Sequence, residues 1–314
     1  MMHLRLINPK SARVLAFLFA ASAWTAGQSA AKEIADTTAR ADGSRIHWAL
    51  SNVAPDRPNR VVLIAQGSGC SPARSSPSVV MLAEILSDHA VLTVEKPGVA
   101  PADAPADGIE GCSDTYLENH TVSQRVADVM MVLGDLRERR LFDGDLVLFG
   151  GSEGGAVVSV LAHRAAEADA VVVLSTGTGL TMAEFLPLVA PPPAMEQMRT
   201  AFDGIRSDPN ATGVLGGVSY DWWRDVLDRR FSDDLLKAGI PVLLIHGARD
   251  RSAPVEAARA TRDAFVAAGQ EHRLTYWEFE TRDHAMVDPQ GRSHMGEVLT
   301  QVRRWIDKRL PPPR

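Results

Sequence analysis

The chain has 314 residues, 45% hydrophobic and 23% charged, with a formal net charge of −6. This is ordinary globular composition, long enough for a sizeable core. No basic run occurs, which argues against nucleic acid and anionic membrane surfaces as partners.

The first segment reads as an export signal. Arg5, Lys10 and Arg13 precede "VLAFLFAASAW", and small residues follow up to "SAA" at 29–31. Basic region, short apolar region and small-residue cleavage site come in the secretory order. Cleavage is expected near Ala31. The apolar run is short for a bilayer span, so no stable membrane insertion is expected after cleavage; an uncleaved anchor is the alternative. Cleavage would remove three basic residues and no acidic ones, leaving 30 basic against 39 acidic. The mature protein is expected to be periplasmic or secreted.

"IADTTARADGSRIHWALSN" suggests two strands joined at Asp42-Gly43. "RVVLIAQGSG" is a β-branched apolar run ending in glycines, "SVVMLAEILSD" has helical spacing, and "AVLTVEKPG" is a further buried strand. "TVSQRVADVMMVLGDLRER" carries apolar residues at three- and four-residue spacing, the mark of an amphipathic helix. "DLVLFGG" and "AVVVLSTG" read as strands flanking the helix "EGGAVVSVLAHRAAE". Residues 180–238 break the alternation. With "APPPA" and "SYDWWRDVLDRRF", they suggest a helical insertion over one end of the sheet. "IPVLLIHG", "PVEAARATRDAFVAAG", "HRLTYWEFE" and "HMGEVLTQVRRWIDKRL" restore the order strand, helix, strand, helix. The "PPPR" tail is expected to be disordered. Near-continuous apolar strands alternating with helices imply an α/β fold, a mostly parallel sheet with helices on both faces.

Cys70 and Cys112 are the two cysteines of the chain. In an oxidising compartment they are expected to pair. The bridge would contribute about 4 kcal/mol in the chain-entropy model. Two buried free thiols are the alternative.

Gly150-Gly151-Ser152-Glu153-Gly154 matches G-x-S-x-G. Roughly a tenth of such a match is expected by chance in a chain of this composition, so the context must carry the argument. The motif closes an apolar strand and opens a helix, as a strained nucleophile turn requires. A phosphate loop would need a Lys after the glycines. A dinucleotide site needs more than the lone G-x-G at Gly67-Ser68-Gly69, which Pro72 interrupts. A serine nucleophile needs a base, and the base an orienting carboxylate. Asp250 follows "LLIHGAR" and His284 follows "EFETRD", so Ser152, Asp250 and His284 each come just after an expected strand. Strand ends of a parallel sheet share one edge, so the three can converge. If Asp250 or His284 is not used, Glu184 and His294 are the substitutes. His163 is expected to be packed in its helix and His246 to be a satisfied core histidine. His89, His120 and His272 are expected to be solvated or structural, and Glu153 to be a solvated first-turn residue. Trp222 and Trp223 are expected to pack the insertion onto the core or line a substrate pocket. No H-x-x-x-H or C-x-x-C pair occurs, so neither metal nor other cofactor is expected.

On "GGSEGG", "HGARDRSAP", "RDHAMV" and "AQGSG", residues 45–310 resemble the α/β-hydrolase superfamily. The resemblance implies an eight-stranded, mostly parallel sheet with an antiparallel start, and a helical cap at about 180–238. It implies oxyanion donors from the Glu153 N–H and from Gly67 or Ser68. Here Gln66-Gly67-Ser68-Gly69 stands where many members carry His-Gly. The expected function is a serine hydrolase of carboxylic esters. A serine peptidase acting on short peptides and a non-catalytic binding protein are the alternatives. A Cys70–Cys112 bridge would pin the oxyanion turn.

Overall fold

The structure is a computed structural model that describes residues 32–54, 59–106, 109 and 111–309. The expected signal segment and the Pro-rich tail lie outside the described residues.

In chain order the elements begin with β1 (Lys32–Ala39), β2 (Arg45–Val53), β3 (Asn59–Ala65), α1 (Pro77–Ile85) and β4 (Ala90–Val94). Next come α2 (Asp114–Asn119), α3 (Val122–Glu138), β5 (Phe142–Gly151), α4 (Glu153–Arg164) and β6 (Ala168–Leu174). The insertion holds α5 (Met182–Val189), α6 (Pro192–Ser207), β7 (Val214–Leu215), β8 (Val218–Ser219), α7 (Tyr220–Val226) and α8 (Phe231–Ala238). The chain closes with β9 (Val242–Gly247), α9 (Val255–Ala267), β10 (Leu274–Phe279) and α10 (Met295–Arg309).

Eight strands form one sheet in the order β1-β2-β4-β3-β5-β6-β9-β10. β1–β2 and β2–β4 pair antiparallel, and every later pairing is parallel. The expected mostly parallel sheet with an antiparallel start is what forms.

The apolar runs explain the layering. Along β3, Val61 and Leu63 join one core cluster while Val62 and Ile64 join the other. Leu146 and Leu148 of β5, with Val171 and Val173 of β6, face the first; Val147, Phe149, Val172 and Leu174 face the second. The period-two geometry of a strand sends alternate residues to opposite faces. A run without polar interruption therefore demands cover on both sides. α3, α4 and α8 cover one face, and α1 and α10 the other.

Close packing sets the glycines around β5 and α4. A Cβ on Gly154 would collide with the Ala65 carbonyl of β3, and one on Gly155 with the Thr176 side chain beyond β6. The helix lies too near the strand ends for any side chain there. Three details depart from the sequence expectations. The insertion contains a two-stranded β7–β8 hairpin as well as helices. The short helix α2 follows the β4 loop. His163 is exposed, because its position near the C-terminus of α4 faces away from the sheet.

Candidate active site

β5 ends at Gly151, and the chain turns into α4 through Ser152, whose φ of 52° and ψ of −126° lie in a region that side-chain-bearing residues rarely occupy. Such a conformation costs on the order of 1–3 kcal/mol and survives only where its surroundings impose it. Here the Ser152 N–H donates to the Leu174 carbonyl at 2.9 Å. Its own carbonyl accepts from the Gly155 N–H at 2.9 Å and from Thr176 Oγ1 at 2.8 Å. The turn is thus held from both the neighbouring strand end and its own helix. The helix N-terminus that follows favours negative charge beside Ser152.

Asp250 lies in the turn after β9, its side chain fully buried. Its Oδ1 accepts from the Ser252 and Ala253 amides at 2.8 Å each, and its Oδ2 faces His284 Nδ1 at 2.8 Å. Two backbone links join the loops carrying these residues: Ala248 N–H to the Phe279 carbonyl and Arg249 N–H to the Arg282 carbonyl, both 2.9 Å. The His284 carbonyl accepts from Ser175 Oγ at 3.0 Å, one residue beyond the carbonyl that holds Ser152. The imidazole is partly exposed. No hydrogen bond joins Ser152 Oγ to it; such bonds commonly tighten only with substrate in place. Expected as a satisfied core histidine, His246 is fully buried behind Asp250, with Nε2 at 2.8 Å from the Ala253 carbonyl and 3.4 Å from Asp250 Oδ2. Its Nδ1 has no partner, and burial pushes its pKa below the ordinary value, in keeping with a neutral ring.

The substitutes are occupied elsewhere. Glu184 completes the capping box of α5 with Thr181 and pairs with Arg230. His294 lies between Asp288 and Glu297, 3.0 Å from each.

The Gln66–Gly69 turn lies against the other side of Ser152. A Cβ on Gly67 would stand 3.3 Å from Ser152 Cβ and 3.8 Å from its Oγ. Ser68, Ser152 and Glu153 line one cavity of about 310 Å³. The rest of its wall is mainly apolar, with Phe185, Trp222, Trp223 and Phe231 supplied by the insertion.

The Glu153 side chain overturns its sequence reading. It is nearly buried. Its Oε1 takes His120 Nε2 at 2.8 Å and Arg125 Nη1 at 2.9 Å, and its Oε2 takes Trp222 Nε1 at 3.2 Å. Arg125 Nη2 also donates to the Gln66 carbonyl at 2.8 Å, and Lys96 Nζ donates to the Gly69 carbonyl. Burial pushes the Glu153 carboxyl up, but His120, Arg125 and Lys96 outweigh it and hold the group well below the usual carboxylate range. Burial lowers His120, which stacks on Tyr116 at 4.4 Å and has no partner at Nδ1. A neutral Nε2–H tautomer fits both facts. Lys96 is pushed down to about 7 by burial, then by the neighbouring Arg125 charge. Next to Gly69, Cys70 is bonded to Cys112 with Cα atoms 5.6 Å apart, the expected pair.

Sequence reasoning passed over Arg125 and Lys96. A signal existed: Arg125 falls on the same stripe of α3 as buried Val122, Val126 and Val129, where a charge needs a partner. Among the described residues no cluster of His, Cys, Asp and Glu could hold a metal ion, and no helix is long and apolar enough to cross a membrane.

No protein-family model matches the sequence, and no curated protein is similar to it by sequence. Solved structures are similar. Est1E from Butyrivibrio proteoclasticus with bound ferulic acid superposes with a TM-score of 0.61 at 18% identity, over 86% of this chain and 97% of that one. Mouse alpha/beta hydrolase domain-containing protein 10 gives 0.55 at 15% identity, over 88% and 99%. The chain has the α/β-hydrolase fold. A Bacteroides ovatus chain assigned as a dipeptidyl aminopeptidase IV gives 0.62 at 14% identity, over 89% of this chain and 36% of that one. Likeness at this level speaks to the fold alone, and bond type has to be argued from the site.

Proposed function

We infer that the chain is an exported serine hydrolase of carboxylic esters, working through an acyl-enzyme on Ser152. The observation that carries this reading is the pairing of His284 with the buried, amide-held Asp250, at strand ends that also hold the strained Ser152 turn. In this reading His284 Nε2 takes the Ser152 proton as Oγ attacks the ester carbonyl, then returns it to the leaving alcohol. Water repeats the sequence to release the acid. Asp250 keeps Nδ1 protonated and stabilises the imidazolium. The Glu153 N–H, with Gly67 or Ser68, donates to the oxyanion.

The cavity supports the ester over the peptide. About 310 Å³ with a mainly apolar wall suits a short acyl or an aryl group. A peptidase that grips a substrate amine needs a free carboxylate. Glu153 is the single carboxylate among the described lining residues, and Arg125, His120 and Trp222 already take both its oxygens. Residues 180–238 act as a cap that supplies the acyl pocket. The 1–31 segment directs export, and the cystine is compatible with an oxidising compartment.

The test is a substrate panel of p-nitrophenyl butyrate, p-nitrophenyl palmitate and aminoacyl p-nitroanilides. Turnover should be greatest on butyrate. Anilide turnover without ester turnover would replace the esterase with a peptidase. No turnover, and no labelling by a fluorophosphonate, would favour a non-catalytic binding protein.

A further inference from the structure

Ester hydrolysis needs the oxyanion donors placed to within a fraction of an ångström, and one of them is expected on the turn Gln66-Gly67-Ser68-Gly69. Something must hold that turn. Two nearly buried basic side chains reach it: Arg125 at the Gln66 carbonyl and Lys96 at the Gly69 carbonyl. They come from α3 and from the loop after β4, so the turn is gripped at both ends by elements other than its own. A buried guanidinium needs a counter-charge. Arg125 shares its guanidinium between Gln66 and Glu153 Oε1, and Glu153 is the residue that follows the nucleophile.

We propose that the Glu153 carboxylate is a positioning residue, anchoring Arg125 so that the Gln66–Gly69 turn is held against the Ser152 elbow. This rests on the reading of Ser152 as nucleophile. The geometry gives the side chain a job separate from that of its own amide. The carboxylate, at the wall of the cavity, is engaged by Arg125, His120 and Trp222, while the amide is the group assigned above to the oxyanion. Trp222 extends the device to the acyl pocket, because its indole N–H donates to the remaining carboxylate oxygen and its ring lines the cavity. A residue acting this way affects the oxyanion more than ground-state binding. Its loss therefore lowers kcat while leaving KM nearly unchanged.

The experiment compares wild type, Glu153→Gln, Glu153→Ala, Arg125→Lys, Arg125→Met and the double variant Glu153→Ala/Arg125→Met on p-nitrophenyl butyrate, with Ser152→Ala as the nucleophile control. Glu153→Ala should lose about 10- to 100-fold in kcat, part of what deleting an oxyanion donor costs, with KM changed less than threefold. Glu153→Gln keeps acceptor and shape but not charge, and should fall between. The double variant should be no worse than Glu153→Ala alone, because the two act as one unit. All but Ser152→Ala should still be labelled to completion by a fluorophosphonate, more slowly than wild type. Near-UV circular dichroism identifies any variant that fails to fold, and Glu153→Gln and Arg125→Lys keep the test alive if the truncations do. Wild-type kcat in these two variants, with labelling intact and Ser152→Ala inactive, overturns the inference. An active Ser152→Ala, or an unlabelled wild type, instead overturns the serine-hydrolase reading and the inference with it.

Discussion

The carboxylates of Asp250 and Glu153 are satisfied in opposite ways. Asp250 is held locally: two amides within three residues of it bond one oxygen, and the His284 imidazole bonds the other, with His246 behind it at 3.4 Å. Glu153 is held globally, by side chains 28, 33 and 69 residues away in sequence. Among the described residues no Arg or Lys pairs with Asp250, whereas Arg125 pairs directly with Glu153. The difference suits different work. A carboxylate that must let an imidazole gain and lose a proton is best neutralised weakly, by amide dipoles. A carboxylate that only holds neighbours in place can be tied to a permanent cation.

The comparison can be broken at the Asp250 side first, where the largest effect is expected. Asp250→Asn preserves shape but presents an N–H or a weak carbonyl to His284 Nδ1 and favours the wrong tautomer. Turnover should fall by about a thousandfold or more. The fall should exceed that of Glu153→Gln, measured side by side on p-nitrophenyl butyrate. Equal losses would erase the distinction between the two carboxylates.

A smaller effect sharpens the Glu153 side. Lys96 is held at about 7 in the folded protein, against 10.5 in the unfolded chain. Arg125, Glu153, Glu95 and His120 are the titratable groups coupled to it. Between those two values the unfolded chain binds the lysine proton and the folded chain does not. Stability therefore rises with pH across this window, by at most about 1.4 kcal/mol per unit. Urea unfolding at pH 7 and pH 9 should show that gain in the wild type and a reduced one in Lys96→Met. Equal slopes would mean that the lysine is not buried as described.

The same contrast explains what could be read from the sequence. Strands such as "RVVLIA" and "DLVLFGG" declare two-sided burial by themselves, because every residue must be apolar when both faces are covered. Ser152, Asp250 and His284 could be proposed from the sequence because each comes within a few residues of the end of a strand, β5, β9 or β10, and a parallel sheet brings strand ends together. The Cys70–Cys112 pair needed little more than counting. Glu153 was misread as solvated because position in a helix's first turn says nothing of what lies opposite. Its partners belong to a helix face, a helix end and the insertion, which only the folded chain brings together. The β7–β8 hairpin was hidden for a related reason: strands of two residues carry no periodicity. His163 illustrates the limit on helices, where a single polar residue near the C-terminus can point either way.

The central claim is that Ser152 is the nucleophile. The most direct test is to treat wild type and Ser152→Ala with a fluorophosphonate, locate the adduct by peptide mass spectrometry, and measure p-nitrophenyl butyrate turnover in parallel. One adduct per chain is expected, on the peptide containing "GGSEGG", with no adduct and a kcat lower by a thousandfold or more in Ser152→Ala. An adduct on another residue, or near-native turnover in the variant, would contradict it.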